Sequence, residues 1–142
     1  MLVFALLAKI ALAIDPVAAI ESHQQALFSQ TAPGVVFVSN SQGFGSGVVV
    51  AANGLILTNK HVVGDDETVE VVLHNGTRHI GQVVEGATEL DLALVQLDVE
   101  GLHPLNWGDL RQLRVGSWVA SVGHGRGGAW TFTTGMVSNI YP

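Results

Sequence analysis

Between Val35 and Leu97 the apolar residues come in short strand-like runs, punctuated by glycine, asparagine and aspartate. Val35–Ser39 leads into a turn at Asn40–Gly43, and Val48–Val50 and Leu55–Thr58 flank the turn Ala52-Asn53-Gly54. Thr68–Leu73 and Thr77–Val84 flank His74-Asn75-Gly76, which has the residues a tight hairpin needs. A loop at Glu85–Glu89 then precedes an apolar run from Asp91 to Leu97. With no helical period over this span, the pattern predicts six short strands in a small antiparallel barrel or sandwich. Further on, Ser117–Val122 and Trp130–Ile140 read as two strands separated at Gly123–Gly128, one hairpin of something larger.

Upstream, Asp15-Pro16 is a helix start, with aspartate as cap and proline at the first helical position. Val17, Ile20, Gln24, Leu27 and Phe28 follow at helical spacing, and Thr31–Gly34 stops the helix. The first fourteen residues, MLVFALLAKIALAI, are apolar but too short to span a bilayer. Ala11-Leu12-Ala13 has the small-x-small form of a signal-peptidase site, so an export leader and a periplasmic or secreted protein are expected. Lys9 within the run and the missing basic start favour the alternative, a buried amino-terminal helix. The expected division is a leader at 1–14, a helix and lead-in at 15–34, a first barrel at 35–97, a connector at 98–116 and a hairpin at 117–142.

Composition narrows the function. At 48 % hydrophobic, 13 % charged and 17 glycines, the chain of 142 residues suits one β-rich domain with a real core. Its net charge of −6 gives no basic field for nucleic acid. The absence of cysteine excludes disulfides and thiolate metal sites. His74, His79 and His103 have no zinc-ligand spacing, so no metal or cofactor is expected. Trp107, Trp118 and Trp130 are expected in core and connector packing.

His61 and Asp91 are the residues with chemistry to explain. Each stands at the edge of a predicted strand, 91 − 61 = 30 residues apart, with a hairpin between to bring them together. Histidine beside a carboxylate is what a serine nucleophile requires: one ring nitrogen takes the serine proton while the carboxylate fixes the other. The spacing by itself is also compatible with two unrelated surface residues.

The surrounding motifs decide between these. Gly45-Ser46-Gly47, then Asn53–Val63 (NGLILTNKHVV), then Asp91-Leu92-Ala93-Leu94 resemble the trypsin-like serine endopeptidases, and among them the bacterial HtrA (Deg) branch. Leu113–Val119 (LRVGSWV) and Thr133–Ser138 (TTGMVS) resemble the start and a later strand of that family's second barrel. The resemblance implies an all-β chymotrypsin-type fold with a short amino-terminal helix, its first barrel complete and its second only begun. It implies His61 as general base, Asp91 as its orienting partner, extended or unfolded polypeptides as substrates, and a homotrimer.

One departure matters. The family's nucleophile lies in a Gly-Asn-Ser-Gly-Gly segment downstream of the Thr-x-Gly-x-Val-Ser strand, and these residues contain none. Ser46 lacks the glycine spacing of a nucleophile elbow, and Ser117, Ser121 and Ser138 lie in strand patterns. The expectation is therefore an amino-terminal portion holding half of a catalytic triad and inactive as given. The alternative is a non-catalytic barrel that binds peptides by strand addition or regulates a partner. Val119, Trp130 and Phe132 are expected to lack a facing sheet, leaving an aggregation-prone edge. The family usually has Gly-Asn-Pro where this chain has Gly123-His124-Gly125, and the sequence assigns His124 no role.

Overall fold

The computed structural model describes residues 15–125 and 128–141. Helix α1 runs Pro16–Thr31, and the Asp15 carboxylate accepts the Val17 N–H at 2.9 Å as its cap. Its apolar stripe is only half used: Leu27 and Phe28 are partly covered, whereas Val17 and Ile20 face solvent. A short 3-10 turn, Ala32–Gly34, passes the chain into the first strand. Gly34 is required there, because a Cβ would lie 2.5 Å from Leu105 Cδ2 and 2.9 Å from the His103 carbonyl.

Six strands, β1 (Val35–Ser39), β2 (Phe44–Ala51), β3 (Leu55–Thr58), β4 (Thr68–Val72), β5 (Arg78–Ala87) and β6 (Leu92–Gln96), close an antiparallel barrel in the order β1-β2-β3-β6-β5-β4. Closure leaves this sheet no free edge. Alternate side chains point inward, and Val36, Val38, Val49, Ile56, Val69, Val71, Val95 and Leu97 form one buried core. Strands β7 (Trp118–Gly125) and β8 (Gly128–Met136) make a separate two-stranded sheet.

Several elements differ from the sequence expectation. A one-turn helix, α2 (Lys60–Val63), stands where no helix was expected, because four residues are too few to display a period. β5 runs on through Glu85–Ala87, expected as loop, because a bulge after Val83 lets Glu85, Gly86 and Ala87 pair with Leu94, Ala93 and Leu92. Main-chain pairing there prevails over polar side chains. Asp91, expected within a strand, ends a 3-10 turn (Thr88–Leu90) in the left-handed region, and β6 begins one residue later. β7 reaches Gly125 and β8 stops at Met136, short of Ile140.

The tryptophans also divide otherwise than expected. Trp107 and Trp118 are 79 % and 62 % exposed, so neither belongs to the core. Trp130 and Phe132, expected to lack a facing sheet, are instead partly covered. The Trp130 indole donates to the Val35 carbonyl at 2.9 Å and stacks edge-on to His74 and His124. Phe132 meets Phe28 of α1 with ring centres 5.8 Å apart. Helix and hairpin thus share an aromatic seam with the barrel wall. Val119 remains 41 % exposed. The leader segment 1–14, with its cleavage-site motif, lies outside the described residues, and among those described no helix is long and apolar enough to cross a membrane.

Candidate active site

The β3–β6 ladder pairs Thr58 with Ala93, so the chain leaving β3 and the chain entering β6 emerge side by side. Thr58 is buried, and its hydroxyl donates to the Ser46 carbonyl at 2.8 Å, which fixes the end of β3 against β2. Beyond it, α2 sends Val62 and Val63 into the core. Burying those two neighbours turns His61 outward, its side chain 71 % exposed. Lys60 closes the segment by donating to the Gly64 carbonyl and pairing with Asp65 at 3.6 Å. Gly64, at φ 59° and ψ −136°, takes a backbone conformation that glycine adopts readily, and the helix stops there.

On the other chain Asp91 has φ 50° and ψ 43°, a conformation aspartate tolerates better than most residues. Its carbonyl accepts the Lys60 N–H at 3.2 Å and the Asn59 amide at 3.0 Å. Its carboxylate takes three donors: His61 N–H on Oδ1 at 2.9 Å, His61 Nδ1 on Oδ2 at 2.7 Å, and Asn59 Nδ2 on Oδ2 at 3.3 Å. These donors hold the Asp91 carboxyl below the usual carboxylate range, the His61 backbone N–H contributing most and the imidazole next. A carboxylate cannot donate to Nδ1, so in the neutral ring that nitrogen carries the proton and Nε2 presents a lone pair. His61 also borders a cavity of about 270 Å³ lined by Asn40, Gln42, Gly43, Phe44 and Val62. The arrangement can take a proton at Nε2 while the carboxylate balances the charge that forms.

The remaining candidates are placed elsewhere. Ser46 is engaged by His124: its Oγ accepts the His124 N–H at 2.8 Å and lies 3.2 Å from His124 Nδ1. This ties β2 to β7. Gly123 leaves room for it, since a Cβ there would sit 3.0 Å from Ser46 Oγ. Burial pushes the His124 imidazole below its ordinary value, in keeping with rings of Phe37 and Trp130 on either side and a buried Nε2 without a partner among the described residues. Ser117 accepts the Arg114 N–H at 3.0 Å and closes a turn. His79 lies 3.2 Å from the Thr77 hydroxyl, and no three His, Asp or Glu side chains among the described residues converge on a metal position. Sequence reasoning passed over two residues. Asn59 stands in the NGLILTNKHVV motif without any role of its own, and nothing in Gly123-His124-Gly125 names a partner 78 residues upstream.

Comparison with known proteins bears on the family and the fold. The model of the trypsin-like peptidase domain matches residues 45–142. A probable periplasmic serine endoprotease, DegP-like, from Halomonas elongata is 34 % identical over 99 residues, which cover 70 % of this chain and 21 % of that protein. The putative serine protease HhoB of Synechocystis is 36 % identical over 99 residues, 70 % of this chain and 24 % of the relative. The chain therefore spans about a fifth to a quarter of these relatives' length. The solved HtrA-type protease AlgW, with a tripeptide, superposes with a TM-score of 0.78 at 29 % identity, covering 82 % of this chain and 40 % of that one. Six strands closed into a barrel, a second sheet and motifs in family order carry the same conclusion: this chain belongs to the trypsin-like peptidases, among the HtrA/DegP-like serine proteases.

Proposed function

We propose that this chain supplies the histidine–aspartate half of an HtrA-type serine endopeptidase that cleaves extended or unfolded polypeptides. The observation that carries the reading is the 2.7 Å contact between His61 Nδ1 and Asp91 Oδ2. In the reaction, His61 Nε2 removes the proton from a serine hydroxyl as its oxygen attacks the scissile carbonyl carbon. Asp91 stabilises the imidazolium, which then gives that proton to the departing amine and releases it. The residues divide into the helix and lead-in, a barrel that holds base and orienting group, a connector, and the opening hairpin of a second barrel. The nucleophile is not among these 142 residues, so this polypeptide alone does not turn over peptide bonds. The periplasm and a homotrimeric assembly are the setting that the family resemblance suggests.

The test has two parts. A fluorophosphonate probe leaves the 142-residue polypeptide unlabelled, and strong labelling would refute the assignment of the nucleophile. Residues 15–142 joined to the remaining peptidase-domain residues of a DegP-like relative cleave casein, and Asp91→Asn lowers that turnover by about 10⁴-fold through the wrong imidazole tautomer. Turnover insensitive to that substitution would remove His61 and Asp91 from the mechanism.

A further inference from the structure

Asn59 stands at the cap position of α2, with φ −87° and ψ 147°. An asparagine there ordinarily turns its side-chain oxygen onto the N–H groups of the first helical turn. Asn59 makes no such bond, and its backbone carbonyl receives the Val62 N–H at 3.1 Å instead. The side chain is directed across the ladder, 32 residues along the sequence, where Nδ2 donates to the Asp91 carbonyl at 3.0 Å and to Asp91 Oδ2 at 3.3 Å. A local preference has been given up for a distant partner.

That partner needs holding. Asp91 is one of two residues other than glycine with positive φ among the described residues, and such backbones persist where their surroundings over-determine them. Asn59 grips Asp91 at both ends, at the left-handed backbone and at the oxygen that faces the imidazole. Oδ2 is shared by Asn59 Nδ2 and His61 Nδ1, so the Asn59 amide fixes the carboxylate rotamer that the imidazole meets.

We infer that Asn59 is a positioning residue, acting through Asp91 to keep His61 in the Nδ1–H tautomer with Nε2 free to accept a proton. The inference rests on the reading of His61 as base and Asp91 as its orienting carboxylate. Free imidazole side chains favour the opposite tautomer, so the protein must supply the bias, and a carboxylate free to swing supplies less of it.

The test is ring ¹⁵N NMR at neutral pH on the full 142-residue chain and on its Asn59→Ser, Asn59→Ala and Asp91→Ala variants, with melting temperatures alongside. Serine offers α2 a capping hydroxyl but is too short to reach Oδ2. The wild type shows mainly Nδ1–H. Both Asn59 variants move the tautomer ratio about three- to tenfold toward Nε2–H, the reach of one ordinary hydrogen bond. Asn59→Ser melts close to the wild type. If the Asn59 variants keep the wild-type ratio while Asp91→Ala loses it, the role of Asn59 fails and the pair stands. A wild type mainly in the Nε2–H form would overturn the pair itself. Loss of the barrel fold in Asn59→Ser would also overturn the inference, making Asn59 a structural residue.

Discussion

Ile56 and Gly47 are diagonal neighbours on the inner face of β3 and β2, and the space between them makes a sharp prediction. Ile56 is fully buried at the centre of β3, paired with Val49 on one side and Val95 on the other. A Cβ added to Gly47 would lie 2.7 Å from Ile56 Cγ2, 3.0 Å from Val36 Cγ2 and 3.1 Å from Val38 Cγ2. Gly47→Ala alone therefore overpacks the barrel and costs about 1–3 kcal/mol. Ile56→Ala removes three carbons, about 2.4 kcal/mol at roughly 0.8 each. The hole adds about 1–2 kcal/mol more, because the diagonal neighbour Gly47 has no side chain to swing in. In the double variant the new methyl enters space that Cγ2 has left, with only the two valine methyls still pressing on it. The pair should then cost about 3–4 kcal/mol, not the additive 5–7 or so, a coupling of about 2–3 kcal/mol. Ile56→Val retains Cγ2 and is the control: Gly47→Ala stays destabilising in that background. Guanidinium unfolding followed by far-UV circular dichroism measures all variants, with slopes compared to check that the unfolded states match. Additivity of the two costs to within about 0.5 kcal/mol would refute this account of the core.

Two further predictions concern the site and the seam. The Asp91 carboxyl lies below its ordinary range in the folded chain, so its contribution to stability is present above the unfolded-state value and is lost as pH falls through the folded one. Carboxyl ¹³C titration should place Asp91 below the ordinary aspartate range, and Asp91→Asn should flatten the acid limb of the stability curve. An Asp91 midpoint at the usual carboxylate value would contradict the hydrogen bonds drawn to it. Trp130→Phe keeps an aromatic ring between His74 and His124 but removes the bond to the Val35 carbonyl, and should cost about 0.5–1.5 kcal/mol by thermal or denaturant unfolding. An unchanged stability would mean that the indole N–H does not fasten hairpin to barrel.

How far the sequence could be read depends on the scale of each feature. Val35–Ser39 and Leu55–Thr58 were legible to the residue, since alternation and turn residues bound each run, and the Asp15 cap was legible from its neighbour Pro16. The exposure of Trp107 and Trp118 was not legible, because residue type says nothing about whether another surface arrives to cover it. The tie between Ser46 and His124 was beyond any local pattern, as it joins two sheets through residues 78 positions apart.

The site itself shows why its residues fall where the strand pattern stops. A side chain within β3 or β6 must point either into the core or squarely away from it, and two such side chains on paired strands cannot turn toward each other freely. Here the ladder fixes Thr58 opposite Ala93, and each chain then departs from strand geometry by one residue or one turn: Asp91 into the left-handed region, His61 into α2. The departures supply the angle, and the ladder supplies the distance. Val62 and Val63 buried on one chain, and Ala93 and Val95 on the other, anchor both irregular segments directly to the core. A pair so placed shares the barrel's anchoring while still facing outward, as the base proposed here needs in order to meet a second group from solvent's side.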